Sequence, residues 1–203
     1  MHREVLTQEQ VSLLPLVRSF SRSFGLVGCT AAALQIGHRR SIDFDLFSHK
    51  PFRTLDIRKK IRAKKRIISR VFADRLGEYT MVIAGVKLTF FHYPFAVSFP
   101  KRLDGIRVAD ILTLAAMKAY ALGRRAKWKD YVDLYFVMKQ YHGIGAVVQR
   151  AKRMFGSEFN EKLFRAQLAY FKDIDRSEEV IFMEGHAVSD AEVQKQLQRW
   201  SLG

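Results

Sequence analysis

The sequence predicts an α+β protein in which strands and helices are mixed up to about residue 104 and helices alone follow. Short runs of β-branched and aromatic residues, bounded by glycine or proline, occur at 24–28, 41–48 and 71–94. From about residue 108, apolar residues recur at helical spacing instead. Few linker-like residues separate the two parts, 1–104 and 105–203, so we expect them to pack as one unit.

The first elements are a helix, a strand and a second helix. Residues 6–22 carry leucine and valine at helical spacing, and Thr7 followed by Gln10 has the pattern of an N-terminal capping box. The apolar run FGLVG at 24–28 suits a buried strand. The alanine-rich segment 30–37 predicts a short helix that Gly37 closes as a C-terminal cap.

A second strand, a basic helix and a hairpin follow. SIDFDLFS at 41–48 predicts the strand, and residues 54–70 predict the helix. Ala84-Gly85 suits a tight turn between TMVIA and VKLTFF. In the second half we predict helices over VADILTLAAMKAYALGRR, over KDYVDLYFVMKQYHG, and near 144–155, 158–171, 176–184 and 189–201.

The composition excludes several classes of protein. No run approaches the roughly 18 apolar residues of a membrane span, and MHREVLTQEQ lacks the layout of a secretory signal. The single cysteine, Cys29, excludes an internal disulfide and a cysteine-based zinc cluster. We therefore expect a cytoplasmic protein without a membrane partner. Its 35 basic and 20 acidic residues give a net charge of +15, which favours polyanionic partners.

Two clusters of basic residues are candidates for contact with an RNA backbone. Residues 58–70 contain eight Lys or Arg and no acid, with isoleucines at helical spacing, although a solvated surface helix would look the same. In residues 123–129 four bases flank Trp128, which could stack on a base or cover a helix junction. The candidate RNA-binding residues are Arg58, Lys59, Arg62, Lys65, Arg66, Arg124, Arg125 and Lys127.

Two carboxylates interrupt the apolar run of the second strand. Residues two apart on a strand point to the same side, so Asp43 and Asp45 would share one face while Ile42, Phe44 and Leu46 face the core. Close like charges repel, and this would raise at least one pKa unless a cation lies between them. Carboxylate oxygens at this spacing suit Mg²⁺ or Mn²⁺, so the pair is a candidate metal site.

The turn before the second helix is a candidate phosphate site. Gly28, Cys29 and Thr30 join a strand to a helix, an arrangement that directs backbone N–H groups and a helix N-terminus at one point. Thr30 could instead simply cap the helix. Arg39 and Arg40 lie between this turn and the aspartates, where they could neutralise phosphate or pair with Asp43.

These motifs occur together in a known family. LVGCTAAALQIGHRRSIDFDLFS, followed by FFHYPF and by AAMKAYALGRRAKWKDYVDLYFVM, resembles the nucleotidyltransferase toxins of the AbiEii/AbiGii type. The resemblance covers about residues 20–140, with three blocks in the same order. It implies a polymerase-β-like nucleotidyltransferase fold with a mixed sheet, flanking helices and a C-terminal helical bundle.

The resemblance also implies roles for individual residues. Asp43 and Asp45 would bind the metal, and the Gly28–Thr30 segment would hold the NTP phosphates. Lys118 would reach the triphosphate or stabilise charge on the leaving group, and Asp130 and Asp133 would complete the catalytic site, for instance by orienting Lys118. From the residues alone, Asp130 could cap its helix and Asp133 could pair with Lys129.

The function implied is metal-dependent transfer of NMP from an NTP to an RNA hydroxyl, with tRNA the favoured acceptor and an antitoxin protein as a partner. Two features depart from the family. Cys29 stands where glycine is typical, and VKLTFFHYP offers no third carboxylate. The alternatives are therefore a non-catalytic nucleotide- or RNA-binding module of the same fold, or a transferase acting on a protein or a small molecule.

Overall fold

A computed structural model describes residues 1–203 and contains one seven-stranded mixed sheet with eight α-helices around it. Along the sheet the strand order is β3-β4-β5-β2-β1-β7-β6. The strands are β1 Gly25–Val27, β2 Phe44–Ser48, β3 Arg70–Arg75, β4 Glu78–Ile83, β5 Val86–His92, β6 Lys101–Leu103 and β7 Ile106–Val108.

The strand directions decide where the functional segments meet. Strand β2 runs antiparallel to β1 and parallel to β5, and β7 runs parallel to β1. The C-terminal end of β1 therefore lies at the same end of the sheet as the N-terminal ends of β2 and β5. The turn after β1 and the aspartates at the start of β2 are brought together there.

The helices match most of the predicted segments. They are α1 Gln8–Ser19, α2 Gly28–Ile36, α3 Thr54–Ala63, α4 Ile111–Leu122, α5 Trp128–Gln140, α6 Ile144–Phe155, α7 Glu161–Ala169 and α8 Asp190–Leu202. The capping box of Thr7 and Gln10 is present at the start of α1, and Gly37 ends α2 with φ of 79°. Ala84 and Gly85, both with positive φ, form the β4–β5 turn as predicted.

A single apolar core joins the sheet to the later helices. It contains 53 buried residues drawn from both halves of the sequence, and α5 is buried on almost every side. The sheet extends to β7, a few residues beyond the predicted limit at residue 104. The fold is thus the predicted mixed sheet with flanking helices followed by a helical part.

Three local predictions are wrong. Helix α3 ends at Ala63 instead of continuing to residue 70, because the chain turns at Lys65 (φ 52°) to enter β3. Ile42 is 57% exposed because it precedes β2 and is outside the buried alternation. Residues 176–184 are not helical: Ile181 accepts a backbone hydrogen bond from Arg40, and Phe182 bridges Arg39, so tertiary pairing replaces helical pairing.

None of the helices combines the length and the apolar character that crossing a bilayer requires.

Candidate active site

The two aspartates of SIDFDLFS lie on one side of the sheet end described above. Asp43 immediately precedes β2, and Asp45 is its second residue, opposite Val27 on β1 and Thr89 on β5. The residues between and after them, Phe44 and Leu46, are fully buried. Both carboxylates are partly exposed on the same face, as the alternation predicted.

Asp45 lies directly against the turn that begins α2. A Cβ built on Gly28 would fall 2.1 Å from Oδ2 of Asp45, and Gly28 has φ of +72°. Only glycine satisfies both conditions, because any side chain would overlap the carboxylate and disfavour this backbone conformation. The first N–H groups of α2, which have no partner inside the helix, therefore start beside a carboxylate.

Asp43 and Asp45 differ in their partners. The Nζ atom of Lys87, on β5, lies 2.7 Å from Oδ2 of Asp43. No group of the chain donates a hydrogen bond to the Asp45 side chain. Burial and then repulsion from Asp43 raise the pKa of Asp45 to about 6, although Lys87 acts in the opposite direction. Asp45 is thus a carboxylate whose charge the protein leaves largely uncompensated.

Thr30 does not have its predicted role. Helix α2 starts at Gly28 with Val27 as its N-cap, so Thr30 lies inside the first turn and is 1% exposed. Its hydroxyl donates to Ser41 Oγ at 2.9 Å and also contacts the Asp43 carbonyl oxygen. Thr30 therefore fixes the backbone that carries Asp43, and it is too buried to hold phosphate directly.

Lys118, Asp130 and Asp133 meet behind the turn in a buried network. The Nζ atom of Lys118 lies 2.6 Å from Asp130 Oδ1 and 2.8 Å from Asp133 Oδ2, and it donates to Cys29 Sγ at 3.3 Å. An ammonium has three N–H groups, so these contacts use all of them. The predicted orientation of Lys118 by the two aspartates is present, while its contact with a triphosphate stays a prediction.

Arg39 belongs to the same network and not to the phosphate site. Its guanidinium is fully buried and donates from Nε and Nη2 to both oxygens of Asp133, at 2.7 and 2.8 Å. His38 Nε2 lies 2.7 Å from Asp133 Oδ1. The predicted nucleotide contact of Arg39 is wrong on this geometry, as is its alternative pairing with Asp43. Arg40 remains exposed and available.

The network balances its own charge. Burial alone would raise the pKa of Asp133, but Arg39 and Lys118 hold it well below its usual value. Burial opposes the charged form of Lys118, and the two aspartates outweigh it and raise the pKa. Burial lowers the pKa of His38 against the influence of Asp133, so the imidazole is neutral at neutral pH. Two buried cations thus face two buried carboxylates.

The alternatives for the α5 aspartates do not occur. Lys127, and not Asp130, is the N-cap of α5. Lys129 pairs with Glu178 at 2.9 Å and leaves Asp133 to the network.

Two groupings could be considered for a metal ion, and only one fits. Cys29, Asp130 and Asp133 bring ligand atoms within 4.8 Å of one another, but the Lys118 ammonium already contacts all three. Asp43 and Asp45 present oxygens on one face, and Asp45 has no donor from the chain. Hard oxygen ligands with an uncompensated charge suit Mg²⁺ or Mn²⁺, so the residues present fit the implied metal.

The candidate RNA-binding residues divide into paired and free groups. Arg58 pairs with Asp74, Arg124 with Glu158, Arg125 with Asp130 and Lys127 with Glu178. Arg66 donates to the Ser12 carbonyl, whereas Lys59, Arg62 and Lys65 have no carboxylate partner.

Trp128 is 5% exposed and covered by Arg176, so of its two predicted roles the structural one is correct.

Sequence reasoning missed Lys87 and Glu178. Lys87 lies beside Asp43 only because β5 pairs in parallel with β2, and the two residues are 44 positions apart in the sequence. Glu178 joins the 176–184 segment to the start of α5 through Lys127 and Lys129, which lower its pKa to about 2. The alternation of Lys87 and Thr89 in VKLTFF is the one signal in the sequence, because polar residues two apart on a strand share one face.

The chain has the nucleotidyltransferase fold. It is similar to a candidate nucleotidyltransferase from Helicobacter pylori (17% identity, TM-score 0.63, 96% of this chain and 92% of that chain). It is also similar to MenT4, a nucleotidyltransferase toxin from Mycobacterium tuberculosis (12%, 0.61, 95% and 81%), and to the antibiotic-resistance factor ANT(2'')-Ia (12%, 0.51, 71% and 90%). At these identities the shared feature is the fold.

In sequence, the chain is 30% identical to the uncharacterized protein aq_aa25 of Aquifex aeolicus over 175 residues, which is 83% of this chain and 84% of that protein. The chain belongs to the same family as that protein. No protein-family model matches the chain, so the AbiEii/AbiGii type stays a prediction.

Proposed function

We propose that the protein is a metal-dependent nucleotidyltransferase that moves a nucleoside monophosphate from an NTP to a hydroxyl of an RNA. The observation that carries the proposal is the pairing of Asp43 and Asp45 beside the start of α2. Asp45 has a raised pKa, no donor from the chain, and a glycine that allows its carboxylate to approach the helix. This is the environment of a carboxylate that binds a cation.

Each part of the site has a distinct task. Asp43 and Asp45 would hold Mg²⁺ or Mn²⁺, which neutralises phosphate charge and lowers the pKa of the attacking hydroxyl. The N–H groups of Gly28 and Cys29 would bind phosphate oxygens at the positive end of α2. The buried network of Lys118, Asp130 and Asp133 would hold the Cys29 side chain in place and so position these groups.

The transfer itself is a displacement at phosphorus. The acceptor hydroxyl oxygen forms a bond to the α-phosphorus, and the bond from that phosphorus to the α–β bridging oxygen breaks. Pyrophosphate leaves, and the hydroxyl proton passes to water. The main task of the protein in such a reaction is to position the reactants and stabilise charge.

An RNA acceptor is supported by charge. The net charge of +15 suits a polyanion, and we favour tRNA among RNAs on the family resemblance. The likeness in fold to MenT4, a nucleotidyltransferase toxin, supports a toxin role with a cognate antitoxin as partner. Both remain parts of the proposal.

A second candidate is a binding module that holds nucleotide or RNA without turnover. Two observations favour it: the Lys87 ammonium already pairs with Asp43, and a cysteine side chain occupies the phosphate turn.

One experiment separates the two candidates. The protein is incubated with Mn²⁺ or Mg²⁺, each labelled NTP and total tRNA, beside Asp43→Ala and the exposed-site control Asp173→Ala. Label on RNA that is lost only in Asp43→Ala supports the transferase. NTP binding without label transfer under either metal would establish the module. Growth arrest on expression, absent for Asp45→Ala, tests the toxin role.

A further inference from the structure

A positively charged groove lies at the end of the sheet opposite the candidate active site. A groove of about 1100 Å³ runs between the end of α1, the end of α3 and the β6–β7 hairpin. Only one of its twelve lining residues is hydrophobic. Its basic residues are Arg18, Arg22, Lys60, Lys64, Arg102 and Arg107.

The charge of this groove is not neutralised within the chain. Its one acidic residue, Asp104, is paired with Arg3. None of the six basic side chains forms an ion pair with a carboxylate. By contrast, Arg58 and Arg124 elsewhere on the surface each have an acidic partner. The groove therefore concentrates unpaired positive charge on a concave surface, which attracts anions.

The β6–β7 hairpin places two like charges against each other. Arg102 and Arg107 are directly opposite in the antiparallel register, so their side chains leave the same face. Like charges in such pairs are destabilising. Burial and then Arg102 lower the pKa of Arg107. A bound anion between the guanidinium groups would remove this repulsion, which indicates a ligand of negative charge.

Two buried polar atoms in the groove lack a partner. Arg107 Nε and Ser21 Oγ are shielded from solvent and form no hydrogen bond, although Arg107 donates from Nη2 to the carbonyls of Arg22 and Phe24. Buried polar atoms are normally satisfied, so two orphans in one groove call for an explanation. Both atoms are donors, and an oxyanion would reach them only after the side chains that shield them from solvent move.

The groove is distinct from the candidate active site. Arg18 and Arg22 precede the N-terminal end of β1, whereas Gly28 follows its C-terminal end. The two sites therefore lie at opposite ends of β1, whose three residues span roughly 10 Å at about 3.3 Å per residue.

We propose that this groove binds the phosphate backbone of a folded RNA. The concave shape and the excess of six basic residues over one paired acidic residue suit a phosphate–sugar chain better than a flat lipid surface or an apolar peptide. Contacts of this kind position an RNA without reading its sequence. In linking the groove to an acceptor RNA, the proposal rests on the proposed function; as an RNA-binding surface it stands without catalysis.

The test measures RNA binding without NTP. Lys64→Ala/Arg102→Ala removes one Lys and one Arg from the groove, and both side chains are exposed. Lys195→Ala/Arg199→Ala removes the same charges from the exposed face of α8. Fluorescence anisotropy with a labelled RNA duplex and with tRNA, from low to high salt, gives Kd and its salt dependence. Chemical denaturation of each variant confirms that it folds.

We expect the groove variant to raise Kd about tenfold and to reduce the slope of log K against log salt by about 1 to 2, with the α8 variant within about threefold of the parent protein. Equal effects from both variants, or none from either, would overturn the proposal. Binding to phosphatidylserine vesicles is measured in parallel. A groove variant that loses vesicle binding but keeps RNA binding would also overturn the proposal.

The outcome is separable from that of the proposed function. RNA binding that depends on the groove but persists in a protein that transfers no label leaves the groove proposal standing and ends the transferase proposal. If the groove variant transfers label to tRNA with the same KM for RNA as the parent protein, the transferase proposal stands and the groove proposal falls.

Discussion

The protein contains two pairs of aspartates whose surroundings differ sharply. Asp130 and Asp133 are buried and surrounded by Lys118, Arg39 and His38, which supply short contacts. Asp45 has a partly exposed side chain and no donor, with Asp43 beside it. The pKa of Asp133 is held well below its usual value, whereas that of Asp45 is raised to about 6.

The difference shows which pair can take a further cation. The buried pair is already neutralised, so an added ion would have to displace an ammonium and a guanidinium. The pair at the sheet end is partly exposed and has two carboxylates but only one cationic partner, Lys87. We therefore assign a structural role to the buried pair, and we propose that the partly compensated pair, in which only Asp45 lacks a partner, serves function at a cost in stability.

The largest expected effect comes from Asp45→Asn. The substitution keeps the shape of the side chain but removes the charge that would hold the cation, so label transfer should fall by about 10³-fold. Because the folded protein holds this charge unfavourably, the free energy of unfolding at pH 8 should not decrease. Asp173→Asn, on an exposed residue, is the control; wild-type transfer by Asp45→Asn would contradict the assignment.

Asp133→Asn, in contrast to Asp45→Asn, should lower the free energy of unfolding. It leaves Arg39 and Lys118 buried with a single carboxylate between them, and breaking such a pair costs about 3 to 5 kcal/mol of unfolding free energy. Urea denaturation at pH 7 measures the loss. A decrease below about 1 kcal/mol, the value expected for a surface ion pair, would mean that the network does not support the fold.

Cation binding should depend on pH through Asp45. Its pKa of about 6 means that protons compete with the metal below that pH, so Mn²⁺ affinity should fall up to about tenfold per unit from pH 6 to pH 5. Calorimetric titration without NTP measures this, and Asp45→Asn should remove the dependence. The same raised pKa predicts that Asp45 lowers stability as pH rises from about 4 to about 6, since the unfolded carboxyl ionises first. An affinity that does not change between pH 5 and 7 would refute the assigned pKa.

The smallest expected effect is that of Lys87→Met. Lys87 and Asp43 are both partly exposed, and such a pair is worth up to about 1 kcal/mol, so its loss should raise Mn²⁺ affinity about two- to fivefold. Lys101→Met, an exposed lysine on β6, is the control. Weaker Mn²⁺ binding in Lys87→Met would show that the lysine assists the site instead of competing for it.

The amino-acid pattern alone determined the local elements and the metal candidate. Capping residues, glycines and apolar spacing act over a few neighbouring residues, so α1, the end of α2, the β4–β5 turn and α6 could be predicted closely. The shared face of Asp43 and Asp45 follows from strand geometry in the same way. Residues 176–184 show the limit, because their backbone pairs with the distant Arg39 and Arg40 segment.

Only the tertiary structure decided which charges meet. Arg39 could have faced phosphate or Asp43, and the packing of α2 against α5 placed it on Asp133 instead. Lys87 reached Asp43 through a parallel strand pairing that no local pattern specifies. Burial and distance fix the protonation and availability of an ionisable group, and both depend on contacts between residues far apart in the chain.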